Sequence, residues 1–135
     1  MKIVTTPNAS ERVIVDSSGW VAYLGNAPKA GRFAEYLESE TTVLLLPSIV
    51  VYEVDKKLRR EQGSTVADRF VSQAFRFRER LISLTAELAT LASKTSLETG
   101  LPMADAIIYA TSRHYEAQLV TSDSHFANLP KVTLI

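Results

Sequence analysis

Four acidic side chains occur where the strands and helices of an α/β protein could bring carboxylates together. Asp16 directly follows the apolar stretch Val-Ile-Val, and Asp123 follows Leu-Val-Thr-Ser. The other two, Glu53 and Asp105, lie in stretches whose apolar residues have helical spacing. Carboxylates that share a pocket repel one another and resist ionisation unless a cation is present. Because hard divalent ions such as Mg²⁺ and Mn²⁺ prefer carboxylate oxygens, a converged set would make a metal site.

Each acid taken singly also has an ordinary structural explanation. Asp16 and Asp123 have the residue type of helix N-caps. Asp105 falls in the first turn of a predicted helix, where the macrodipole favours negative charge. Glu53 is four residues before a lysine, which is the spacing of a surface ion pair. Its neighbour Asp55 lies at the opposite edge of the same apolar stripe, so spacing alone leaves both acids open as site residues.

Apolar stretches rich in β-branched residues predict the strands that must position these acids. Four stand out, and a fifth at 80–84 is weaker; the four are 12–15, 41–47, 118–123 and 131–135. Near-continuous hydrophobicity is typical of parallel strands covered on both faces. Segments with helical patterns separate them: 27–40, 48–63, 64–79, 84–100 and 101–117. The alternation predicts an α/β sandwich with a mainly parallel sheet, in which ligands gather at the carboxyl ends of the strands.

The composition limits the class of protein. The 135 residues, 46% of them apolar, suit one domain over 1–135 with a polar lead-in at 1–11. Lys plus Arg and Asp plus Glu number 15 each, which argues against a protein that coats nucleic acid by net charge. The absence of cysteine excludes disulfides and zinc–cysteine sites. No apolar run approaches the ~18 residues of a membrane span, so we expect a cytoplasmic protein without a membrane partner.

Four segments together resemble the PIN domain and, within it, the VapC-type ribonuclease toxins. In the family's order they are VIVDSSGWVAYL, SIVVYEVDKKL, LPMADAIIYATSR and LVTSDSHFANL. The resemblance spans 12–135, and ADAIIYAT and TSDSHF are its most specific parts. It implies a three-layer α/β/α sandwich with a parallel sheet of four or five strands. The long lead-in and Pro102, where many relatives carry a polar residue, depart from the family pattern.

The resemblance also implies the activity and the roles of particular residues. The activity is metal-dependent hydrolysis of RNA by a toxin of a type II toxin–antitoxin system. Ser17 and Thr121 match the hydroxyl positions that orient a carboxylate or water beside the first and last acids. The implied partners are RNA, a cognate antitoxin and a second copy in a homodimer. The catalytic residues, which also hold Mg²⁺ or Mn²⁺, are implied to be Asp16, Glu53, Asp105 and Asp123, a choice that favours Glu53 over Asp55.

Basic and aromatic residues supply further candidates. We select Arg60 and Arg113 for contacts with RNA phosphates and interpret most other basic residues as solvated helix faces. Two histidines, His114 and His125, have no metal-binding spacing with each other and are interpreted as structural or exposed. Trp20 and Tyr23 are interpreted as core or interface residues rather than as base-stacking groups. Candidates for contacts with the antitoxin or with a second copy are Tyr36, Tyr52 and Phe75.

Three other functions stay open. A PIN nuclease of RNA processing or decay would have the same quartet but no antitoxin, although the small size of the chain favours the toxin. A Mg²⁺-binding phospho-acceptor signalling domain also places acids at strand ends. That domain needs an acid pair after the first strand and a lysine after a late strand, and the sequence has neither. A binding module with an inactive site is disfavoured by the intact quartet.

Overall fold

The computed structural model describes residues 11–76 and 80–135, in which five strands form one parallel sheet. The strand order is β3-β2-β1-β4-β5, and every neighbouring pair is parallel. The strands are β1 (Arg12–Val15), β2 (Val43–Pro47), β3 (Leu81–Ile82), β4 (Gln118–Thr121) and β5 (Val132–Leu134). The predicted parallel sheet is confirmed, and the weakest predicted strand is the shortest one, at the sheet edge.

Helices connect the strands and cover both faces of the sheet. They are α1 (Ser17–Leu24), α2 (Ala30–Leu37), α3 (Ser48–Gln62), α4 (Ser64–Phe75), α5 (Ala86–Thr99) and α6 (Met103–His114). On one face Val13, Val15 and Phe33 form a cluster with residues of α1 and α2. On the other face Ile14 joins a larger cluster drawn mainly from α3 to α6. The predicted three-layer α/β/α sandwich is therefore confirmed.

Local sequence explains where two helices begin and end. The hydroxyl of Thr85 accepts a hydrogen bond from the Leu88 amide at 3.1 Å and caps α5. Gly100 ends that helix in the left-handed region (φ 77°), which glycine adopts without steric cost. Pro102 occupies the N-cap position of α6 rather than the first helical position that its residue type predicts. The N-terminal ten residues of the predicted lead-in and residues 77–79 of a predicted helix lie outside the described residues.

The turn from β1 into α1 requires a glycine. A Cβ atom at Gly19 would lie 2.4 Å from Cγ1 of Val15 and 2.6 Å from the ring of Phe33. Real Cβ atoms do not approach other atoms so closely, so the helix can pack this tightly only without a side chain there. This packing presses the first turn of α1 against the end of β1, where Asp16 lies. None of the helices in the described ranges combines the length and apolar character that a membrane crossing demands.

Candidate active site

The four acids that the sequence predicts as site residues all line one cavity, which lies at the carboxyl edge of the sheet. Asp16 directly follows β1, and Asp123 lies two residues after β4. Glu53 is in the second turn of α3, which starts where β2 ends, and Asp105 is in the first turn of α6. Because β1 pairs in parallel with both β2 and β4, these chain ends meet at one edge. The cavity has a volume of about 470 Å³ and is also lined by Ser17, Ser18, Val21, Ala22, Ala27 and Lys57.

Asp16 is the deepest of the four acids. The residue is only 3% exposed, and its Oδ1 accepts a hydrogen bond from the Ser18 hydroxyl at 2.5 Å. Burial raises the pKa of Asp16 to about 6, although the hydroxyls of Ser18 and Thr121 and the Gly19 amide oppose the rise. The charge of Asp123 raises this pKa further. Asp16 holds the N-cap position of α1, but its carboxylate is buried, and ionising it there costs free energy.

Glu53 faces the same cavity, whereas Asp55 is engaged elsewhere. Burial raises the pKa of the half-buried Glu53, and the charges of Asp105 and Asp123 add to the rise. The Ser17 hydroxyl beside Glu53 lowers the pKa and limits the effect. Asp55 instead forms an ion pair with a guanidinium, that of Arg59, at 2.7 Å. The helix therefore separates the two acids that sequence spacing left open.

Asp105 and Asp123 lie close together with His125 between their carboxylates. Nδ1 of His125 is 3.0 Å from Oδ2 of Asp105 and 3.6 Å from Oδ1 of Asp123. One ligand atom from each of the three residues lies within 4.8 Å of the other two. Asp123 is also an ordinary cap, because its Oδ1 accepts a hydrogen bond from the His125 amide at 2.9 Å. The cap and the site thus use the same carboxylate.

Two hydroxyls connect the ends of the two central strands. Thr121 is fully buried, and its Oγ1 accepts a hydrogen bond from the Asp123 amide at 2.9 Å. Oγ of Ser18 lies 3.5 Å from that Oγ1 and accepts from the Ser122 amide at 3.2 Å. The sequence predicts Ser17 as the hydroxyl beside Asp16, but Ser18 is the serine that contacts this carboxylate, and Ser17 lies beside Glu53. Two adjacent serines give no sequence signal for the choice, which depends on where α1 begins.

The two basic candidates line different pockets. Arg60 lines a smaller pocket of about 260 Å³ that shares Ser17, Glu53 and Lys57 with the acidic cavity. Lys57, which sequence spacing would pair with Glu53, instead forms an ion pair with Glu61 at 3.2 Å. The other candidate, Arg113, is in the last turn of α6. A rise of 1.5 Å per residue puts it about 12 Å along the axis from Asp105, in a pocket with Gln118 and Lys131.

The aromatic candidates divide into packed and exposed residues. The Trp20 ring meets Phe70 edge to face at 5.9 Å, and the Tyr23 hydroxyl donates to Glu38 at 2.6 Å. Tyr36 packs against the cluster under α1 and α2. Tyr52 and Phe75 are exposed, and Nζ of Lys56 lies 5.7 Å from the centre of the Tyr52 ring. The Tyr52 ring and Lys56 stand in the pocket beside Glu53.

The donor set of the cavity fits a divalent cation. Four carboxylates converge, and two of them have raised pKa values because burial and mutual repulsion penalise their charged forms. A cation among them removes that repulsion and replaces lost solvation. Oxygen ligands in this number suit Mg²⁺ or Mn²⁺. Asp105 and Asp123, with His125, already hold their ligand atoms near one another.

Solved structures share this fold. VapC20 of Mycobacterium tuberculosis, described as a sarcin–ricin loop cleaving toxin, superposes with a TM-score of 0.71 and 23% identity over 89% of this chain and 96% of that chain. A toxin–antitoxin complex from Klebsiella pneumoniae gives 0.69 and 20%, over 90% and 95%. VapBC2 of Rickettsia felis, bound to a DNA fragment from its promoter, gives 0.67 and 17%, over 92% and 97%. Identities this low establish likeness of fold alone.

A family model provides the assignment. Among curated protein sequences none matches this chain. The model of the PIN domain matches residues 13–132, from the first buried residue of β1 to the first residue of β5. That range contains the four acids, both hydroxyls at the strand ends and the histidine that lies against the acids. The chain belongs to the PIN domain family.

Proposed function

We propose that this protein is a metal-dependent endoribonuclease and the toxin of a type II toxin–antitoxin system of the VapC type. The observation that carries the proposal is the cavity in which four carboxylates from separate elements of a PIN domain face one another. A structural role alone would not bring them together, because each added carboxylate makes the others more costly to ionise. A reaction that needs a bound cation would explain why the carboxylates converge.

Three carboxylates would hold Mg²⁺ or Mn²⁺ directly or through water: those of Asp16, Asp105 and Asp123. The ion, when bound, supplies Lewis acidity toward the phosphate and lowers the pKa of a bound water. Glu53 would hold a water or a second ion, and its raised pKa makes its carboxylate a better acceptor for a proton of that water. Ser18 would keep Oδ1 of Asp16 in place through its 2.5 Å hydrogen bond. Thr121 would fix the Asp123 backbone, and Ser17 would orient Glu53.

The RNA would enter along α3. Lys57 and Arg60 line the surface beside Glu53, and their charges suit contacts with phosphates. Tyr52, exposed in the same pocket, offers a face on which a base can stack. Arg113 lies toward the far end of α6, so it would meet only RNA that continues around the molecule. Local basic residues therefore substitute for the net positive charge that the chain lacks.

The proposal that this protein is a toxin is supported by the solved structures that share its fold. The similar structure from Klebsiella pneumoniae is a toxin–antitoxin complex and the one from Rickettsia felis is VapBC2, and this chain covers 95% or more of each matched chain. We therefore propose an antitoxin and a second copy of the chain as partners. The exposed apolar residues available for such contacts include Tyr52, Phe75, Leu97 and Met103.

The test is cleavage of total RNA by the purified protein with Mg²⁺, with Mn²⁺ and with a chelator, followed by sequencing of the new ends. We expect discrete cleavage that the chelator abolishes. Glu53→Gln should remove it, whereas the matched control Asp55→Asn, on the same helix but paired with Arg59, should keep it. Unchanged cleavage by Glu53→Gln or in chelator would contradict the proposed chemistry. Cleavage without growth arrest on expression would instead favour a nuclease of RNA processing or decay.

A further inference from the structure

His125 is held against the acidic cavity by its neighbours in sequence. It lies in a 3-10 turn, Ser124–Phe126, whose amide at His125 is capped by Asp123. The next residue, Phe126, is fully buried in the core and anchors the turn. The imidazole is 62% exposed, yet its Nδ1 points at two carboxylates rather than at solvent. The ring therefore lies beside two of the acids that line the cavity.

The distances suit ligands of one ion. Adjacent ligands of an octahedral ion with bonds of about 2.1 Å lie about 3.0 Å apart, and opposite ligands about 4.2 Å apart. Nδ1 of His125 is 3.0 Å from Oδ2 of Asp105 and 3.6 Å from Oδ1 of Asp123. The three ligand atoms all lie within 4.8 Å of one another. Small side-chain adjustments would bring them into one coordination sphere.

We infer that His125 is a nitrogen ligand, through Nδ1, of the ion that Asp105 and Asp123 bind, and that it favours first-row transition ions such as Mn²⁺ over Mg²⁺. The inference rests on the proposed metal-dependent function. Mg²⁺ takes oxygen ligands, whereas imidazole is a ligand of first-row transition ions, so one nitrogen changes the selectivity of an otherwise oxygen-rich site. A ligand Nδ1 presents its lone pair, and the ring proton then lies on Nε2.

The second histidine of the chain provides the matched control. His114 is in the last turn of α6, at the opposite end of that helix from Asp105. Its Nε2 lies 3.8 Å from Oε1 of Glu87 on α5. Its side chain is 37% exposed, against 62% for that of His125, and its ion pair is with Glu87 rather than with an acid of the cavity. Replacing it changes the histidine content of the protein without touching the proposed ligands. A nitrogen signal from bound Mn²⁺ can thus be assigned to one histidine or the other.

The experiment is electron spin-echo spectroscopy of Mn²⁺ bound to the purified protein, with calorimetric titration of Mn²⁺ and of Mg²⁺. We expect ¹⁴N modulation in the wild type and in His114→Gln, and its loss in His125→Gln. The Mn²⁺ affinity of His125→Gln should fall roughly tenfold, with a smaller change for Mg²⁺. His125→Asp, which substitutes an oxygen ligand, should lack the modulation and bind Mg²⁺ more tightly than His125→Gln.

Each result separates this inference from the proposed function. Bound Mn²⁺ without ¹⁴N modulation in the wild type overturns the ligand role of His125 and leaves the carboxylate site intact. Modulation that persists in His125→Gln also overturns it. A wild-type protein that binds neither ion refutes the metal-dependent function together with this inference. Because His125 is exposed, a folded variant is expected, and circular dichroism verifies it.

Discussion

Replacing the deepest acid by its neutral isostere should stabilise the metal-free protein. Asp16 has a pKa of about 6 in the folded chain against an ordinary value of 3.8. Between these values the folded state binds more protons than the unfolded state, so stability falls as pH rises through this window. The charge of Asp16 then costs about 1 kcal/mol at about pH 4.5 and about 3 kcal/mol at about pH 7.5. Asp16→Asn removes this cost and can still accept the Ser18 hydrogen bond.

The assay is urea unfolding of the wild type and Asp16→Asn in chelator at these two pH values. The side-chain NH2 group of Asn needs a hydrogen-bond acceptor that the Asp16 carboxylate does not need, which alters the free energy of unfolding at every pH. The prediction therefore concerns how the stability difference between variant and wild type changes with pH, not its absolute size. The stability of the variant relative to the wild type should rise by about 2 kcal/mol between about pH 4.5 and about pH 7.5. Mn²⁺ at a hundredfold excess over its Kd should then stabilise the wild type by about 2.7 kcal/mol and the variant by less.

The same unfolding measurements can refute the prediction that the charge of Asp16 destabilises the folded protein. A stability difference that stays constant across the pH range would mean that Asp16 carries no penalty for ionisation in the folded state. Asp55→Asn is the control, because that carboxylate lies on the surface of α3 in an ion pair with Arg59. Its replacement should give no gain at the higher pH, since exposed ion pairs contribute little to stability. A gain equal to that of Asp16→Asn would assign the effect to net charge instead.

Three further predictions follow from contacts around the site. Gly19→Ala should destabilise the protein by about 2–3 kcal/mol in urea unfolding, because its Cβ would overlap β1 and α2, whereas Gly31→Ala, with open space around it, should not. Ser18→Ala should raise the Asp16 pKa further in NMR titrations of the metal-free protein, and Ser17→Ala should leave it unchanged. Lys57→Met should weaken RNA binding and reduce its salt slope by about one, because one phosphate contact is lost.

The fold followed from patterns that repeat along the chain. Nearly continuous apolar runs predicted four of the strands, because a strand covered on both faces needs apolar residues on both, and the weaker run at 80–84 predicted β3. Helical spacing likewise placed α2 to α6 within the predicted segments. Boundaries were less accurate: the predicted 27–40 segment forms a helix only over Ala30–Leu37. Ends depend on caps and tertiary packing, such as the contact at Gly19, which periodicity does not contain.

The sequence predicted which carboxylates come together in the cavity, but not the side chains that contact them. Parallel pairing brings the strand ends to one edge, so the positions of Asp16 and Asp123 after apolar runs carried real information. Which serine contacts Asp16 depends on the first residue of α1, and which way His125 turns depends on a 3-10 turn anchored by Phe126. These are consequences of local geometry over one or two residues. Sequence spacing does not resolve such turns, just as it left Glu53 and Asp55 both open on α3.

The acids of the cavity differ in how deeply they are buried. Asp16 is buried, while the side chains of Asp105 and Asp123 are 15% and 33% exposed, so the carboxylates form a path from solvent into the fold. A buried carboxylate needs compensation, and the hydroxyls of Ser18 and Thr121 supply only part of it. The side chain of Asp123 keeps more of its contact with water and so needs less compensation. Under the proposed function, the inner acid would therefore gain most from a bound cation, and the outer acids, with His125, would be the first ligands that a cation meets from solvent.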